Sequence, residues 1–146
     1  MPQVDFYHLT DVPLERVLPQ VAQKVVDGGG RLLVVAGDEE QAVALDRLLW
    51  LPADSFLPHA RAGESDDTAQ PVLIATEVDA ANGARNIALA DGLWRDDALD
   101  FDRAFHFFDE ERIYAARAAW KALKTCDEVA CRYWKLNEAG RWEQAA

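Results

Sequence analysis

Four residues in one short run carry the most suggestive chemistry in this chain: Arg117, Trp120, Lys121 and Lys124, within EERIYAARAAWKALK at 110–124. A guanidinium offers a planar fork of donors that matches a carboxylate, ammonium groups add attraction, and an indole supplies an apolar wall. Together such groups suit a short acidic peptide or a small anion. Other reactive types are sparse. His8, His59 and His106 have no metal-ligand spacing, Ser55 and Ser65 lie in a loop without a neighbouring base, and Cys126 and Cys131 do not form a paired metal motif. The sequence contains no G-x-S-x-G, H-E-x-x-H, phosphate loop or G-x-G-x-x-G.

The element that positions the four residues reads as a helix. Residues 110–124 contain neither Gly nor Pro, begin with acids and end with bases, and follow Asp109 as a potential cap. At 100° per residue, Ala115, Ala118, Ala119 and Ala122 share one side, with Arg117, Lys121 and Lys124 nearly opposite and Tyr114 and Trp120 flanking them. Two burial modes satisfy that periodicity: the alanine side, or Ile113, Ala116, Trp120 and Leu123.

The chain has 146 residues, half of them hydrophobic, which predicts a globular α/β unit of one domain over 1–146. No apolar run is as long as a membrane span, and MPQVDFYHLTDV lacks the basic and apolar regions of a signal peptide, so the expected setting is cytoplasmic with free thiols and no membrane partner. The net charge of −11 is uneven. Residues 1–100 hold 7 bases and 18 acids, residues 101–146 hold 8 of each, and residues 112–135 hold 6 bases against 2 acids. An acidic body repels a nucleic-acid backbone, so a local basic patch on it points to a short acidic peptide or small anion rather than direct nucleic-acid binding.

Along the chain, strands are expected at 3–9, 31–36, 71–76, 85–90, 103–108 and 131–136, with helices from Pro13 to about Val26, over 38–50, and over 110–124. Pro19 predicts a kink or a later start in the first helix. Gly28, Gly29 and Gly30 make the turn into the second strand. The AGDEEQ turn after that strand sits where a doubly wound fold binds nucleotides, but its three acids oppose phosphate, so no nucleotide, cofactor or metal is expected. The loop LWLPADSFLPHARAGESDDTAQP carries large apolar groups that either plug the core or face a partner. His106, among phenylalanines, reads as a core residue. This alternation predicts a three-layer α/β sandwich around a mostly parallel sheet, nucleotide-binding-like in topology but without a nucleotide site.

The segments VDFYHL, RLLVVAGDEEQAVALDRLLW, DSFLPHARAGE, QPVLIAT with RNIAL, ARAAWKALK and YWK together resemble the chi subunits of bacterial DNA polymerase III, over essentially the whole chain. The resemblance implies a non-catalytic accessory subunit of the clamp-loader complex. It implies two partners: the psi subunit, which tethers chi to the clamp loader, and the acidic, phenylalanine-terminated tail of single-stranded DNA-binding protein. Arg117, Trp120, Lys121 and Lys124 match the family's tail-binding positions, with Arg112 standing in for a basic residue one turn earlier, where Ile113 departs from the pattern. Trp50 and Phe56 fall on aromatic positions of the family and, with Leu51, Pro52 and Leu57, are assigned to the psi surface. In this setting the alanine side of the helix is expected against the sheet and Trp120 at a groove edge. The competing functions are a direct single-stranded DNA-binding module and a small nucleotide-dependent enzyme on the same fold.

Overall fold

The computed structural model describes residues 2–10, 12–50, 57–64, 66–137, 139 and 141–146. Eight strands form one sheet: β1 (Gln3–His8), β2 (Leu32–Val35), β3 (His59–Arg61), β4 (Val72–Ala75), β5 (Asn86–Leu89), β6 (Arg103–Phe108), β7 (Ala130–Leu136) and β8 (Trp142–Gln144). Among these residues three α-helices accompany them: α1 (Leu14–Asp27), α2 (Glu39–Leu49) and α3 (Ile113–Lys124). The strand order is β3-β4-β2-β5-β6-β1-β7-β8, and every pairing is parallel except β7 with β8. The expected mostly parallel sandwich is therefore present. The consecutive strands β4 and β5 are not neighbours; β2 lies between them.

The continuous apolar runs of the central strands follow from their position. Leu32–Val35 and Val72–Ala75 are buried along their whole length, because helices or loops cover both faces. Alternate residues feed two cores. Leu32, Val34, Val72, Ile74, Phe105 and Phe107 pack with α1 and α2 on one face. Leu33, Val35, Leu73, Ile87, Phe6 and Phe108 pack with α3 and the short turn at Asp96–Asp100 on the other. The helix α1 begins before Pro19 and runs through it, losing one intrahelical donor just beyond its first turn. It ends at the glycine run, where Gly29 adopts a positive φ of 83° and the amides of Gly28, Gly29 and Gly30 close back on carbonyls of the last turn. Asp38 caps α2 by accepting from the Gln41 amide, and the Gly37 amide donates to Gln41 Oε1 at 2.7 Å, so the AGDEEQ turn folds its polar groups onto itself.

His106 lies where the sequence places it, fully buried among Phe6, Trp94 and Phe108. Neither ring nitrogen has a hydrogen-bond partner among the described residues, and burial lowers its pKa to about 4. A histidine with a lowered folded-state pKa contributes its full stability above the unfolded value near 6.5 and loses it as pH falls toward 4. Urea denaturation of the wild type and of His106→Leu at pH 7 and pH 4.5 is the check. The wild type should lose about 2–3 kcal/mol more than the variant over that interval; equal losses would refute the assignment.

Candidate functional site

The buried side of α3 differs from the expectation. Ile113, Ala116, Ala119 and Leu123 face the sheet, while Ala115, Ala118 and Ala122 are exposed. Of the alanine side, only Ala119 is buried, and the alternative mode read from periodicity is the one adopted. The physical reason is apolar area. Ile113 and Leu123 gain far more from leaving water than a methyl group does, and the small Ala116 and Ala119 between them let the helix axis approach the strands. Trp120 borders this buried side. It is half-buried and meets Phe6 edge-on at 5.3 Å and Tyr133 edge-on at 5.6 Å between ring centroids. One face of the indole is met by Lys124, whose Nζ lies 5.3 Å from the ring centroid.

Arg117, Lys121 and Lys124 are exposed, and none forms an ion pair among the described residues. Their charge is thus free for a ligand. The floor beside them comes from β7, whose alternation turns Cys131 and Tyr133 toward α3. The Tyr133 hydroxyl lies 3.4 Å from His8 Nδ1, and His8 Nε2 lies 2.9 Å from Glu110 Oε1. Burial pushes the Tyr133 phenol above its usual pKa; the Arg117 guanidinium acts against that rise and Glu110 adds to it. Arg117, Trp120 and Tyr133 therefore share one surface. Sequence reasoning missed Tyr133, His8 and Glu110. The signal for Tyr133 was the alternating pattern of β7, but the partner helix it faces is set by the sheet order.

The other predicted residues are placed differently. Arg112 precedes α3 and packs against the turn at Gly92, where a Cβ would lie 2.7 Å from Arg112 Cγ. It lines a separate cleft with Leu9 and Glu111 at the carboxyl ends of the strands. Trp50 follows α2, is 54% exposed, and has its ring 4.3 Å from that of His59. His59 is buried, with Nδ1 2.7 Å from the Leu57 carbonyl and Nε2 2.9 Å from the Asp46 carbonyl, so it ties Leu57 and the start of β3 to α2. Leu57 is 3% exposed and belongs to the core under α2. Leu51, Pro52 and Phe56 lie outside the described residues. Among the described residues, no group of three His, Cys, Asp or Glu side chains is placed to hold a metal, and no helix is long and apolar enough to cross a membrane.

As a class, this is a doubly wound α/β protein that presents a cationic helix edge beside a partly covered aromatic cluster. The chain belongs to the family described as DNA polymerase III chi subunit, HolC, which it matches over residues 1–128. It is similar to DNA polymerase III subunit chi of Escherichia coli (strain K12), with 36% identity over 93 residues, 63% of this chain. That match spans 61% of the relative's length. The family match ends ahead of β7 and β8.

The orientation of α3 is open to a direct check. Ala116→Leu should overpack the sheet-facing side and cost about 1–3 kcal/mol, whereas Ala118→Leu should change stability by less than about 0.5 kcal/mol. Thermal unfolding of the two variants distinguishes the burial modes, and equal effects would contradict the orientation described.

Proposed function

We propose that the chain is a non-catalytic accessory subunit of the DNA polymerase III holoenzyme that acts in DNA replication in the cytoplasm as one chi-like domain. In this reading it binds the acidic C-terminal tail of single-stranded DNA-binding protein and, through the psi subunit, links that protein to the clamp loader. The observation that carries the reading is the group of cations with no ion pair among the described residues, Arg117, Lys121 and Lys124, around the half-buried rings of Trp120 and Tyr133. A peptide ending in a phenylalanine carboxylate after acidic residues complements each part. Arg117 grips the terminal carboxylate, a charge-assisted contact of about 1.5–3 kcal/mol. The indole edge of Trp120 and the Tyr133 ring wall the phenylalanine side chain, contributing about 0.5–1.5 kcal/mol beyond area burial. Lys121 and Lys124 attract the preceding acids and make binding weaken with salt. Arg112, turned toward Gly92, contributes to the general field rather than to the slot.

The exposed indole of Trp50, next in sequence to Leu51 and Pro52, supports the psi reading on this side of α2. Leu57, buried in the core under α2, does not face that surface.

Titration with a fluorescent peptide of acidic residues ending in Phe tests the tail site. Arg117→Ala should abolish detectable binding with no change in Tm, since its side chain packs into no core. Trp120→Ala should weaken binding and also lower Tm, because the indole covers Phe6. Undiminished peptide binding by Arg117→Ala would place the site elsewhere, and tight binding of labelled single-stranded DNA without the peptide's parent protein would favour a direct DNA-binding role.

A further inference from the structure

Glu110, His8 and Tyr133 form a chain of polar groups that runs from solvent to the foot of the cationic helix edge. His8 closes β1 and is 5% exposed, whereas the Glu110 side chain is largely open to water. The His8 ring lies flat against Phe108, at 12° with centroids 5.1 Å apart, so its plane is held. Its Nε2 is 2.9 Å from Glu110 Oε1, and its Nδ1 is 3.4 Å from the Tyr133 hydroxyl. Beyond the phenol, the Arg117 guanidinium lies within electrostatic reach.

The partners dictate where the protons sit. A carboxylate only accepts, so Nε2 carries a proton. In the neutral imidazole Nδ1 is then bare and accepts from the Tyr133 O–H. The phenol thus directs its one proton inward and turns only lone pairs outward, which is unfavourable opposite a carboxylate. Protonation of the ring inverts the arrangement. Both nitrogens then donate, Nδ1 donates to the phenol oxygen, and the Tyr133 O–H is released to donate outward. Histidine ordinarily changes charge between about pH 5 and 8, and Glu110 gives the imidazolium a partner.

The charged and titratable groups that face His8 come from three packed elements. The turn before α3 brings Glu110, with Asp109 and Glu111 beside it in sequence, and α3 brings Arg117. From β7 come Tyr133 and, two residues along the same side of the strand, exposed Lys135. On β6 the Phe108 ring covers His8, with His106 behind it, kept neutral by burial.

We propose that His8 sets the anion affinity of the α3 surface: its neutral ring holds the Tyr133 hydroxyl inward, and its protonated ring turns that hydroxyl out to donate to a carboxylate beside Arg117. The inference rests on the tail-site reading and adds His8 to it as a positioning residue, acting on the ligand through Tyr133. The tail site then tightens as pH falls, through a hydrogen bond that Arg117 and the lysines do not supply.

Calorimetric titration with an acidic peptide ending in Phe, at pH 8 and pH 5.5 and constant ionic strength, is the test. The lower pH stays above the value of about 4 at which His106 takes up its proton. Wild type should bind about tenfold more tightly at pH 5.5, the scale of one charge-assisted hydrogen bond. That ratio should fall below about twofold in His8→Gln, in Tyr133→Phe, and for the same peptide with an amidated carboxyl end. In Glu110→Gln the rise should persist but move about one pH unit lower. Ring-nitrogen NMR shifts at pH 8 should show His8 protonated at Nε2 and bare at Nδ1. The opposite tautomer, a wild type without the pH response, or an equal response in His8→Gln and Tyr133→Phe would overturn the inference and leave the tail site standing. Failure of the peptide to bind wild type at either pH would sink the tail-site reading, and this inference with it.

Discussion

The contact on which the α3 side of this molecule depends is the burial of the Phe6 ring. Phe6 sits on β1, inside the sheet, and is completely enclosed. Around it stand Trp94, His106, Phe108, Trp120 and Tyr133, contributed by four separate parts of the chain. Several of these contacts are edge-to-face, the geometry that ring quadrupoles favour. The cluster orients α3 about its axis, because Trp120 must reach Phe6 while Ile113 and Leu123 are covered. Once that rotation is set, Arg117, Lys121 and Lys124 have no core to enter and stand outward. The cationic surface is thus a by-product of how one phenylalanine is enclosed.

The same constraint explains where sequence reasoning went astray on α3. A helix with alanines on several sides and large apolar residues only at Ile113, Trp120 and Leu123 has no single obvious stripe. Small residues permit close packing but do not enforce it, since each methyl gains little from burial. The larger groups decide, and one of them answers to a ring on a strand over a hundred residues earlier. The basic residues were legible because charge needs no partner to be recognised; the tyrosine beside them was not, because its role depends on which helix β7 faces.

The central strands were legible from composition alone, since β2, β4 and β6 read as short apolar runs. The order of those strands was only partly so. Right-handed crossovers limit the choices, yet nothing local says that β2 separates β4 from β5. The three-residue strands β3 and β8 were missed for a simpler reason: HAR and WEQ are too short to show a period of two. Missing β8 also hid Trp142, which stands edge-on to Tyr7 at 5.1 Å between ring centroids. The cap of α2 by Asp38 and the glycine turn after α1 were fully readable, because each is a local requirement of a helix end.

Both outer margins of the sheet are these minimal strands. An open sheet of eight strands ends in two rows of backbone donors and acceptors that a foreign strand can extend. Here each row is only three residues long, with Arg61 on one margin and Glu143 on the other. Short, charged edges are poor templates for further pairing. A protein whose middle consists of nearly unbroken Val, Leu and Ile runs thereby keeps its most aggregation-prone sequences away from any growing edge, and the order of the strands serves solubility as much as it serves the fold.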